Sequence, residues 1–75
     1  MRRKITGLAW ADVEALIDAW IWSERDRRLL KDKLYNSFTF EALAEKYNLS
    51  VQQTKTIFYK AEDKLFSHIP PENIA

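Results

Sequence analysis

Apolar residues recur at helical spacing in four stretches of the chain, separated by short polar breaks. Val13, Leu16, Ile17, Trp20 and Ile21 form the first stripe, which predicts an amphipathic helix over roughly 9–22 with that face buried. Ser23 then reads as the N-cap of a second helix running to about Asn36. Asp26, three residues on, is an acidic near-match to a capping box, and Leu30 and Leu34 turn inward. Thr39 caps a short third helix. There Phe38 and Leu43 have the spacing of a hydrophobic staple, and Phe40, Leu43, Ala44 and Tyr47 occupy i, i+3, i+4 and i+7. Ser50 caps the fourth helix, Gln53 completes an S-x-x-Q capping box, and Thr54, Ile57, Phe58, Ala61 and Leu65 mark a buried stripe. Pro70-Pro71 stops that helix. The pattern predicts an all-α bundle of four helices, ordered from about Leu8 to Ile69. It also predicts a flexible basic arm over 1–7 and a flexible tail over 70–75.

Length and composition narrow the picture. At 75 residues, 47% hydrophobic and 31% charged, the chain fits a single small domain near the size where stability becomes marginal. The absence of Cys excludes disulfides and thiolate metal sites and points to a reducing, cytoplasmic setting. Asp12, Glu14 and Asp18 break the apolar run behind Arg2, Arg3 and Lys4, so neither a signal peptide nor a membrane span is expected. The formal charge is only +1, but its distribution is uneven: residues 25–33 hold five basic against two acidic side chains. Basic character is thus concentrated in the arm and the second helix.

The connection between the third and fourth helices has its own signature. Asn48, Leu49 and Ser50 join a two-turn helix to a longer one, and Ala44 is small where the two would cross. Asn48 occupies a turn position where Gly is usual, and Asn tolerates a left-handed backbone at low cost. This is the pattern of a helix-turn-helix, whose second helix enters a DNA major groove. A plain αα-hairpin within a bundle fits the same spacing.

Residues 23–70, SERDRRLLKDKLYNSFTFEALAEKYNLSVQQTKTIFYKAEDKLFSHIP, resemble region four of the sigma-70 family of bacterial RNA polymerase sigma factors. The resemblance lies in the basic helix, the T-F-E-A-L-A helix like the family's T-L-E-E-I-A, the N-L-S turn like G-V-S, and the K-A-E-D-K-L ending like K-A-L-R-K-L. It implies a domain that reads double-stranded DNA at promoters and docks on bacterial RNA polymerase. Carried over by position, base reading falls on Val51, Gln52, Lys55 and Thr56, with Tyr59 next along the outward face. Arg25, Arg27, Arg28, Lys31 and Lys33 become the phosphate contacts. Val51 departs from the pattern, because promoter-binding members usually carry Arg there, and it can offer only apolar contact. The alternative for each of these side chains is an ordinary solvated, ion-paired helix face.

No catalytic constellation is present. His68 stands alone near the end of the last helix, without a second His or Cys at ligand spacing, so neither a metal site nor a cofactor is expected. Trp10 and Trp20 read as core, whereas Trp22, opposite Val13 and beside the small residues Ala11, Ala15 and Ala19, is a candidate protein interface, including one with a second copy. Two functions follow: a DNA-binding transcription module, or a protein-interaction module of the same fold that does not read DNA.

Overall fold

The computed structural model describes residues 4–75, so Arg2 and Arg3 of the basic arm lie outside the described residues. Four helices make up the domain: α1 (Trp10–Trp20), α2 (Glu24–Leu34), α3 (Phe40–Tyr47) and α4 (Val51–Phe66), with a 3-10 turn over Pro71–Asn73. Among the described residues there is no strand, and no helix is long and apolar enough to cross a membrane. The longest helix, α4, packs against each of the other three, and α2 touches α1, α3 and α4. Val13, Ile17 and Ile21 meet Leu29, Leu30, Leu43, Phe58, Ala61, Leu65 and Phe66 in one core, closed by Ile69.

Local chemistry sets the helix boundaries. The hydroxyls of Ser23, Thr39 and Ser50 accept from the amides of Asp26, Ala42 and Gln53, each satisfying an otherwise orphaned first-turn donor. At α4 the box is reciprocal, since the Ser50 amide donates back to Gln53 Oε1 at 2.9 Å. The end of α1 has no basic residue in its own last turn. Arg27 supplies one from α2, its Nη1 donating at 2.8 Å to the carbonyls of both Ile21 and Trp22.

Two sequence expectations change, and one core residue, Leu29, is not anticipated by the sequence pattern. Trp20, placed in the core by the α1 stripe, is 41% exposed and stacks face to face on His68 with ring centroids 3.7 Å apart. Lying at the end of α1, it reaches the end of α4 rather than the interior. Leu29 is fully buried beside Leu30, because α2 is covered on several sides and not along one stripe. The segment 70–75 is not a loose tail. Ile74 forms an antiparallel bridge with Ile5, the Ala75 amide donates to the Lys4 carbonyl at 2.8 Å, and Thr6 donates to the Asn73 carbonyl at 2.7 Å. Residues 4–7 of the expected arm are held by the same pairing. Half-buried Ile5 and Ile74 carry it onto the core. Gly7, at φ +73°, turns the chain out of this bridge into α1, and a side chain there would meet Asn73 Nδ2 at 3.0 Å.

Candidate nucleic-acid interface

The turn between α3 and α4 takes a specific form. Asn48 adopts the left-handed conformation, φ 55° and ψ 49°. The Leu49 amide donates to the Ala44 carbonyl at 2.8 Å and the Asn48 amide to the Glu45 carbonyl at 3.3 Å. Together these bonds make a Schellman stop, with half-buried Leu49 folding back towards the helix it terminates. Buried Ala44 lets α3 and α4 approach, and fully buried Thr54 satisfies its hydroxyl on the Ser50 carbonyl at 2.8 Å. α4 therefore starts abruptly at its Ser50 cap.

The proposed base readers divide over two flanks of α4. Gln52 and Thr56 are exposed on the side facing Arg25, where a shallow groove includes all three. The Thr56 hydroxyl bonds back to the Gln52 carbonyl at 3.0 Å, leaving the Gln52 amide as the longer polar group on that flank. Lys55 and Tyr59 lie on the α3 side. The Lys55 ammonium is 5.7 Å from the centre of the Phe40 ring, and the Tyr59 ring leans on Phe40 and Phe58 while remaining 46% exposed. Val51 is half-buried. Gln53, although exposed, is committed to the capping box.

The five basic residues of α2 meet different fates. Lys31 reaches Asp18 at 2.7 Å and Glu14 at 3.6 Å, so the acidic face of α1 neutralises it. Arg27 caps α1 and also approaches Asp18 at 4.0 Å. Lys33 donates to the Phe38 carbonyl at 3.0 Å and lies 4.4 Å from the centre of the Phe40 ring. These three contacts pin α2 to its neighbours. Arg28 forms an exposed i,i+4 pair with Glu24, and Arg25 pairs with the adjacent Asp26; both guanidinium groups remain accessible. The charges of Lys31 and Arg27 are thus met across the α1–α2 contact, and those of Arg25 and Arg28 within α2 itself.

Sequence reasoning missed the role of Asp32, which is buried. Its carboxylate accepts from Lys46 Nζ at 2.6 Å, the Tyr47 hydroxyl at 2.8 Å and Asn36 Nδ2 at 3.2 Å. Its backbone carbonyl accepts from the amides of Asn36 and Phe38. Burial alone would raise the carboxyl pKa, but the three donors and the Lys46 charge outweigh it and leave Asp32 below its ordinary value. Tyr47 is pushed up to about 12, first by burial and then by its bond to Asp32 and that carboxylate's charge. One residue thereby fixes the end of α2, the loop after it and the end of α3. The only sequence signal for it was an acidic residue on the inward side of a basic helix.

Trp22 is 87% exposed, but from the extended corner after α1, which ends at Trp20, and not from the helix face opposite Val13; Trp10 is half-buried against Tyr35 with ring centroids 4.8 Å apart. Among the described residues, no group of three or more His, Asp or Glu side chains is placed to hold a metal ion. Comparison with protein-family models, with curated proteins and with solved structures finds no match to this chain.

Proposed function

We propose that the domain is a DNA-binding helix-turn-helix module of the kind resembled by sigma factor region four, with α4 in the major groove. The observation that carries this is the α3–α4 junction. A Schellman stop on left-handed Asn48 and a reciprocal cap on Ser50 leave Gln52, Lys55 and Thr56 projecting from the first two turns of the longest helix. Gln52 is the main reader, since its amide can pair with adenine N6 and N7, while Lys55 can reach guanine or a phosphate. Double-stranded DNA is the partner this chemistry fits, beside RNA polymerase or as a homodimer, because half-buried Val51 cannot supply the hydrogen bonds of an Arg. Replacing Gln52 by Ala should cost about 1–3 kcal/mol at a single base position and leave the salt dependence unchanged. Binding measured across a panel of single-base variants checks this, and an equal loss on every sequence would remove Gln52 as a reader.

A second use of the fold, as a protein-interaction module, is favoured by Trp22 and by the exposed carboxylates Glu41 and Glu45 on α3, which would face phosphates unfavourably. If Trp22 makes such a contact, Trp22→Ala should shift the sedimentation profile towards monomer or abolish a polymerase contact, with helicity intact. A parent that is already monomeric, and that keeps its polymerase binding or its lack of it after the substitution, would leave Trp22 without an interface role.

A further inference from the structure

Lys60 and Lys64 follow Gln52 and Thr56 at four-residue intervals, so each side chain neighbours the next along α4 in a row that winds by about 40° per step. Neither lysine forms an ion pair with a described residue. Across from them stand Arg25, at the start of α2, and the exposed indole of Trp22. One groove includes Trp22, Arg25, Thr56, Lys60 and Lys64; a second includes Arg25, Gln52 and Thr56 and carries the first on to the start of α4. From Gln52 to Lys64 this track is about 18 Å long at the helical rise of 1.5 Å per residue. Asp26 also borders it, tied to Arg25 at 3.1 Å.

We propose that this track, with Lys60 and Lys64 as its phosphate contacts, Arg25 beside them already paired with Asp26, and Trp22 as its outer wall, holds the phosphate backbone of the duplex whose bases α4 reads. The physical reason lies in which cations are free to act. A lysine already paired with a carboxylate must give up that pair to reach a phosphate, whereas an unpaired ammonium neutralises a phosphate, and releases a counterion condensed on the DNA, without breaking any contact of the fold. Lys31 meets Glu14 and Asp18, and Arg27 and Lys33 are bonded to backbone carbonyls, so the basic run of α2 is largely spent on the fold. The track also starts beside Gln52, so a backbone lying in it passes the reading end of the helix and fixes its register. This inference rests on the DNA-binding function proposed above and names the contacts that position the duplex.

The test is a salt titration of a fluorescent random-sequence duplex from 50 to 200 mM, followed by anisotropy. It compares the parent, Lys60→Gln/Lys64→Gln and Lys31→Gln, with helicity checked by circular dichroism. Losing two phosphate contacts should lower the salt slope by about 1.8, so the fourfold rise in salt weakens the double variant about 12-fold less than the parent. Lys31→Gln should keep the parent slope. If the parent binds duplex and the double variant keeps its slope, or Lys31→Gln lowers the slope as much, the track is overturned while the DNA-binding function stands. A parent that binds no duplex at low salt overturns both. One that instead binds a short oligoglutamate peptide at this groove, lost in the double variant, identifies an acidic protein segment as the occupant.

Discussion

Leu43→Ala should lower stability by about 2–5 kcal/mol. Leu43 has no exposed surface and belongs to the same core as Leu29, Leu30 and Phe58, so no solvent can reach the space it leaves. Its helix has only eight residues. A helix that short is unstable on its own and depends on the burial of its apolar face. A domain of this size has total stability of roughly 4–11 kcal/mol, so the substitution removes a large share of it. A thermal melt should move down by at least about 10 °C. Because α3 carries the stop at Asn48, the start of α4 should lose definition too, and the DNA affinity we propose for it should fall with stability. A melt that coincides with the parent's would mean that the Phe40, Leu43, Ala44 and Tyr47 face does not hold α3 in place.

The helices were legible because their signals are local. Ser23, Thr39 and Ser50 each sit immediately before an apolar-periodic run, and each caps the helix it precedes. Asn48 could be assigned to the turn because few residues other than Gly tolerate its backbone conformation. What the sequence did not disclose depends on residues far apart in the chain. Ile5 and Ile74 look like stray apolar residues in polar ends until the two ends pair. The stripe of α1 predicts the burial of Val13 and Ile17 correctly, but periodicity does not say where the neighbouring helix ends, and Trp20 lies beyond that cover against His68.

The candidate interface was less legible for a related reason. A run of five basic residues within nine reads as one surface when charge is counted along the chain. In three dimensions its members point in several directions: Arg27 towards the end of α1, Lys31 towards Glu14 and Asp18, Lys33 towards Phe38 and Phe40. Lys60 and Lys64 attracted no attention because they are separated by neutral and acidic neighbours, yet four-residue spacing sets them on one side of α4. Pairing, more than local density, decides which cations remain available to a ligand.

Asp32→Asn should destabilise the domain by about 2 kcal/mol and flatten both ends of its pH profile. Hydrogen bonds to a charged group contribute about 1.5–3 kcal/mol. Lys46 is partly exposed and can recover hydration, which keeps the loss below the roughly 3–5 kcal/mol of a fully buried broken pair. The carboxyl pKa of Asp32 is lower in the folded chain than its ordinary value of 3.8, so its contribution is present above that value and is lost as pH falls through the folded one. Tyr47 works in the opposite direction. Its pKa is raised from 10.0 to about 12, so the stability it adds is complete below 10 and is lost as pH rises towards 12. An amide at position 32 has no carboxyl proton to bind in acid and no charge to oppose ionisation of Tyr47. Thermal melts of parent and variant should therefore converge as pH falls below 3.8 and through the lower folded value of Asp32, and draw closer again above pH 10, with their widest separation near neutrality. A separation that stays constant from pH 2 to 11 would show that the Asp32 charge does not hold α2 to α3.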